Sequence, residues 1–216
     1  MRSHRDERGF IDATDGPTKT REIGETHAGI GLRFATRVYE KLTEVPRFLE
    51  RQLRALLGLN ESIADADEEL AELARENAVC RRLMTIPGVG PVTSLRFVAA
   101  LDEVGRFESA HKVEAYLGLV PGENSSGDRQ RRTSITKAGA PGLRCALIQA
   151  AWCTRRARGD HPMVEWSLEL ERRRGKRVAI TALARKLAGI MFAIWRDGSV
   201  YDPSLGAKAV ASMATP

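Results

Sequence analysis

A chain of 216 residues with a 43% hydrophobic share can bury one core plus a helical extension, which excludes a wholly disordered segment. Aromatics make up only 6% while Ala, Leu and Arg are abundant, so composition favours helix over sheet, and no continuous apolar run approaches the roughly 18 residues of a membrane span. The formal net charge of +6 is uneven: residues 121–196 hold 16 Lys and Arg against 6 Asp and Glu, a surplus that fits either a polyanionic partner or solvated helix faces.

Residues 1–28 are polar, Gly-rich and aperiodic, and predict a mobile tail or the remnant of something larger. No apolar h-region follows Met1–Asp6, so no secretory signal is expected. The odd cysteines Cys80, Cys145 and Cys153 form no C-x-x-C pair, which fits a reducing cytoplasm and argues against a disulfide scaffold or zinc finger. The four histidines stand at no metal-ligand spacing.

From about residue 31 the pattern turns helical, with Thr43 as N-cap, Pro46 in a first turn and Gly58 as the stop. Ser62 and Asp65 form an approximate capping box for a second helix. Ile63, Ala66, Leu70, Leu73, Asn77, Cys80 and Met84 then alternate at 3-4 spacing, as three heptads of a coiled-coil seam on which Asn77 would set register or dimer state. The same pattern suits an antiparallel hairpin within one chain. Pro87 closes the seam, and a helix over Val92–Ala100 follows. Ser109 caps a short helix over Ala110–Tyr116, and Leu117–Pro121 leads into a loop at 122–133. Three further helices begin at Pro141, near Asp160 (as N-cap) and at Lys176, the last stopped by Gly198. The expected fold class is all-α. A tail at 1–30 precedes a helical arm or coiled coil at 31–84, then a compact helical domain at 85–200 and a tail at 201–216.

The first chemical motif is Ile86-Pro87-Gly88-Val89-Gly90-Pro91 between two apolar helices, the signature of a helix-hairpin-helix. Two glycines permit φ > 0 and remove side chains, so backbone N–H groups and the next helix N-terminus can approach a phosphate. Pro87, Gly88, Val89, Gly90 and Thr93 are therefore candidate DNA-backbone contacts, which position without reading sequence. A plain turn between helices is the alternative. The second motif is Ser125-Ser126-Gly127 with Arg129, Arg131 and Arg132, followed by Ile135-Thr136-Lys137-Ala138-Gly139.

These blocks stand in a fixed order with Cys80–Thr85, Leu117-Gly118-Leu119-Val120-Pro121, Leu143-Arg144, Ala184–Ala188 and Trp195–Gly198. Together, over about residues 30–200, they resemble the C-terminal transposase domain of the IS110/IS116/IS902 family. The resemblance implies a DNA recombinase that moves an insertion sequence, joining a RuvC-like nuclease domain with acidic metal ligands to a coiled coil and this domain. It implies DNA as partner, an element-encoded guide RNA in the members understood best, a homo-oligomer built through the arm, and a cytoplasmic, nucleoid-associated protein without a membrane. It also implies a serine that attacks the DNA backbone. Ser126, directly before Gly127, matches that serine, and Ser125 is the alternative. Arg129, Arg131, Arg132, Lys137 and Arg144 are then candidate phosphate contacts, since dense positive charge both activates a serine and stabilises the equatorial oxygens of a phosphoryl transition state.

Two features depart from the family pattern. Thr133 stands where the family usually has glycine, and about 30 residues precede the arm, too few for a RuvC-like domain. The expectation is a shortened transposase with no cofactor of its own, Mg²⁺ belonging to the RuvC-like domain it needs. The alternatives are a non-catalytic DNA- or RNA-binding regulator and a helical protein–protein adaptor.

Overall fold

The structure is a computed structural model, and it describes residues 47–123, 132–156 and 161–203. Among these, the fold is all-α with one small hairpin. The helices are α1 (Arg47–Glu76), α2 (Ala78–Leu83), α3 (Pro91–Leu101), α4 (Ala110–Tyr116), α5 (Pro141–Arg156), α6 (Pro162–Arg174) and α7 (Lys176–Asp197). A 3-10 turn spans Val104–Arg106, and β1 (Pro121–Glu123) pairs antiparallel with β2 (Arg132–Ile135).

Helix α7 is the centre. It packs against α2, α4, α5, α6 and the 3-10 turn, and ten of its residues are buried. Leu183, Leu187, Met191 and Phe192 are fully inside, where each contributes on the order of 1.5–3 kcal/mol relative to exposure. They join Leu83, Phe97, Leu101, Val113, Leu117, Leu147 and Met163 in one core. By length and composition α7 could cross a membrane, with a mean hydropathy of 1.6, but 56% of that window is buried inside the fold, as in the core helix of a globular domain. The helix limits follow local signals. Pro91 and Pro162 open α3 and α6 at positions where no N–H is needed, and Gly198 closes α7 in the left-handed region.

The arm departs from expectation in three places. Gly58 does not stop a helix, because α1 runs through it for 30 residues; a mid-helix glycine costs only about 1 kcal/mol. Ser62 caps nothing: its hydroxyl donates back to the Gly58 carbonyl at 3.0 Å, the i−4 bond of a serine inside a helix. Asn77 is not a seam residue. Its carboxamide oxygen accepts from the Val79 and Cys80 N–H groups at 2.9 and 3.0 Å, so it ends the α1 run and caps α2. The heptads therefore break there. Cys80 lies in the domain core while Ile63 and Leu73 stay exposed. Thr43 and Pro46 fall outside the described residues. The β-hairpin replaces what sequence suggested was plain loop, and Ser109 precedes α4 without a side-chain cap bond.

The start of α6 belongs to His161 rather than to Asp160, which lies outside the described residues. His161 Nδ1 accepts from the Met163 N–H at 3.3 Å, so its proton sits on Nε2, 3.0 Å from the Tyr201 hydroxyl. Tyr201 in turn donates its backbone N–H to Thr85 Oγ1 at 2.9 Å, tying the end of the fold to the turn after α2. Burial pushes the His161 imidazole below its ordinary value, so the folded state favours the neutral ring. Tyr201 is pushed up to about 12, by burial first and then by Asp202, and stays neutral. A depressed histidine stabilises the fold above its unfolded value and loses that contribution as pH falls through the folded value. The melting temperature is therefore expected to fall between neutral pH and about pH 5. His161→Asn keeps an N-cap acceptor and should lose part of this dependence, as thermal melts of both proteins across that range would show.

Candidate nucleic-acid interface

The turn between α2 and α3 assigns its two glycines different tasks. Ile86 and Val89 point into the core, and the Val89 N–H donates to the Ile86 carbonyl at 3.0 Å. Gly88 has φ +86, and a Cβ there would meet the backbone N and Oγ1 of Thr154, both at 2.5 Å. Thr154 Oγ1 also lies 2.7 Å from the Pro87 carbonyl oxygen and 2.9 Å from that of Ala150, within donating distance of each. The first glycine thus serves close packing of the turn on α5. Gly90 has an ordinary extended φ of −105 and open space where a methyl group would go, and it is the N-cap of α3. No side chain caps that end, and no acidic residue occupies its first turn. The N–H groups of the first turn have no partner within the helix, and the helix dipole adds positive potential there. Among the residues expected to touch phosphate here, Val89 and Thr93 are buried, whereas Pro87 and Gly90 are only half-buried.

The second motif turns out to be two motifs folded onto each other. Lys137, Gly139 and Gly118 all have positive φ, at 58, 75 and 66. The Lys137 N–H donates to the Gly118 carbonyl at 3.1 Å, and the Thr136 N–H to the Val120 carbonyl at 2.9 Å. A Cβ on Gly118 would run into the backbone of Ala138, and one on Gly139 into the Tyr116 carbonyl. Arg144 Nη1 donates to the carbonyls of Leu117 (3.2 Å) and Ala138 (2.9 Å). Arg144 thus clamps backbone to backbone through Nη1. Lys137 keeps an exposed side chain beside this junction.

The junction sets the hairpin, whose register pairs Pro121 with Ile135 and Glu123 with Arg132 around an irregularity. Residues 124–131 connect the strands. Ser125, Ser126, Gly127, Arg129 and Arg131 belong to that connection and lie outside the described residues, as does the side chain of Arg132. One wall of a cleft of about 310 Å³ is the hairpin and the other is the first half of α7, which contributes Arg177, Thr181 and Arg185. Arg185 Nε lies 2.5 Å from Glu114 Oε2, and His111 Nδ1 lies 3.1 Å from the same oxygen. Sequence reasoning missed Arg177, Arg185 and Glu114. The only signal was Arg185 within the Ala184–Ala188 block; nothing marked Glu114 as a buried carboxylate on α4. Lys186, the next residue, is buried over the Trp166 ring at 4.9 Å, and burial pushes its ammonium below the usual range. Among the described residues no three His, Cys, Asp or Glu side chains gather as a metal site.

Comparison with known proteins adds identity to this geometry. Residues 80–163 match the family described as Transposase IS116/IS110/IS902. Over 189 residues the chain is 32% identical to the transposase for insertion sequence element IS1111A of Coxiella burnetii, covering 86% of this chain and 52% of that protein. It is 30% identical over 165 residues to the transposase for insertion sequence element IS1328 of Yersinia enterocolitica, covering 74% and 49%. It is 29% identical over 150 residues to the pilin gene-inverting protein of Moraxella bovis, covering 66% and 46%. The chain spans about half the length of the curated relatives it matches.

The two glycines of the α2–α3 turn should respond differently to alanine. Gly88→Ala combines left-handed strain with a backbone collision and is expected to destabilise by at least ~2 kcal/mol. Gly90→Ala, with open space, should stay within about 0.5–1 kcal/mol. Urea melts of the two variants check this.

Proposed function

We infer, for a chain that belongs to the IS116/IS110/IS902 transposase family through its residues 80–163, that this fold is the DNA-handling part of a recombinase. The observation that carries the reading is the hairpin. Its strands are set by the Gly118–Gly139 junction and wall a cleft lined by arginine, and the sequence joining them contains Ser125-Ser126-Gly127. In this reading Ser126, with Ser125 as the alternative, attacks a backbone phosphorus. The Oγ–P bond forms as the P–O bond to one sugar oxygen breaks, leaving a free hydroxyl on the cut strand and a phosphoserine ester that a later hydroxyl can reverse. Gly127 exposes the hydroxyl. Arg129, Arg131, Arg132 and Lys137 stabilise charge on the phosphoryl oxygens.

The α2–turn–α3 unit acts as the helix-hairpin-helix, with the uncapped N-terminus of α3 taking a duplex phosphate at Gly90. The refinement over a sequence reading is that Gly90, not Gly88, offers the open approach. A RuvC-like domain supplies Mg²⁺ chemistry, and a guide RNA is a further partner. The arm α1 packs on α2 and α3 but leaves Leu59, Ile63 and Leu73 61%, 46% and 54% exposed, and a second copy of the chain covers them in the assembled recombinase.

Gly90→Asp separates binding from folding. Aspartate is a favoured N-cap and fits the extended backbone at this position, so stability should hold or rise. The added charge faces the proposed phosphate, and duplex affinity should drop about tenfold. Native-gel titration with a salt series checks both parts. Unchanged affinity in the variant, or binding that ignores salt in the wild type, would remove the α3 N-terminus from the interface.

A further inference from the structure

We propose that the cleft between the β-hairpin and α7 holds an unpaired stretch of nucleic-acid strand, with its phosphates on Arg177 and Arg185 and a base against Pro121, Ile135 and Val178. The proposal rests on the reading of the fold as a DNA-handling domain. It adds a site on α7, apart from the α2–α3 turn.

Arg177, Thr181 and Arg185 are spaced four and eight apart and all line the cleft, so they form one stripe along α7. At about 1.5 Å of rise per residue the two arginines stand ~12 Å apart along the axis. That separation is too long for two arginines to share one small anion and suits phosphates two nucleotides apart on an extended strand. Arg177 is exposed in the first turn, whereas Arg185 is held. Its Nε lies 2.5 Å from Glu114 Oε2, and the Glu114 side chain is only 4% exposed. A guanidinium anchored through Nε keeps its remaining N–H donors in a fixed plane, which is what recognition of phosphate oxygens requires. The cleft holds two arginines against one buried carboxylate, so it remains net positive.

The cleft also offers apolar surface. Pro121 and Ile135 come from the strands, beside Thr133 and Ser134, and Val178, 51% exposed, comes from α7. A volume of about 310 Å³ is at the lower end of the roughly 300–1,000 Å³ of ligand sites. Duplex DNA presents phosphates outermost and keeps its bases stacked inside, so it has no apolar group to offer such a cleft. An unpaired strand does: its phosphates meet basic residues while its bases lie on apolar side chains. DNA and RNA share that chemistry.

The test is fluorescence anisotropy with the full chain, using labelled single-stranded DNA and RNA of about 12 nucleotides and a duplex of about 20 base pairs, across a salt series. Two variants avoid the Arg185–Glu114 pair and its risk to folding. Arg177→Ala removes a phosphate contact, and Thr181→Trp fills the cleft from the half-buried middle of the stripe. Each should weaken single-strand binding about 5- to 10-fold while changing duplex binding by less than about twofold. Arg177→Ala should also lower the salt slope for the single strand by about 0.7. Loss confined to RNA or to DNA supports the site and names its strand. Single-strand affinity within about twofold of wild type in both variants, no single-strand binding by the wild type, or an equal loss on duplex would overturn it. If one of these outcomes is found while the wild type still binds duplex, this inference falls alone. If the wild type binds neither form, the reading of the domain as DNA-handling falls with it.

Discussion

The close approach of two backbone stretches, residues 116–118 and 137–139, is the constraint on which the hairpin depends. Glycine is required on both sides, because a Cβ at Gly118 or Gly139 would enter the opposing main chain. Arg144 closes the junction from α5 with two carbonyl hydrogen bonds. In one step this sets where β1 begins, where β2 ends and where α5 starts. Both strand ends of the hairpin are thereby fixed to the helical core. Lys137, a non-glycine residue in the left-handed region, sits at the centre of the same junction.

Helix α7 supplies the other half of the design. Most of its circumference is buried, yet its first turns emerge beside the hairpin and carry the Arg177–Thr181–Arg185 stripe. Two of its ionic groups meet different surroundings. Arg185 meets Glu114, and the Lys186 ammonium lies over Trp166 in a cation–π contact. One helix thus links the core to the arginine stripe of the cleft, and packing that orders α7 also orders the arginines.

Much of the helical fold was legible in the sequence because its punctuation is local. Pro91, Pro162 and Gly198 delimit α3, α6 and α7 through φ restriction or freedom. The arm was misread because local punctuation was overruled. Gly58 was tolerated within a long helix, and Asn77 acted through its cap rather than its heptad position. The hairpin escaped notice because strands of three and four residues are too short for alternation to register. The site was legible as a set of blocks but not as contacts. Sequence put Arg144 among the outward groups, whereas its partners are carbonyls 27 and six residues away. Glu114 looked like an ordinary polar position of a short helix, since its role depends on Arg185, 71 residues on.

The central claim is that the segment carried by this hairpin contains the nucleophile of a DNA recombinase. Covalent capture tests it most directly. Labelled insertion-element-end DNA would be incubated with the protein, guide RNA, Mg²⁺ and a RuvC-like domain, and the products separated under denaturing conditions. The expected result is a protein-linked DNA band that is present in the wild type and absent in Ser126→Ala. A band that survives in both Ser126→Ala and Ser125→Ala, or salt-sensitive DNA retention without any linked band, would contradict it.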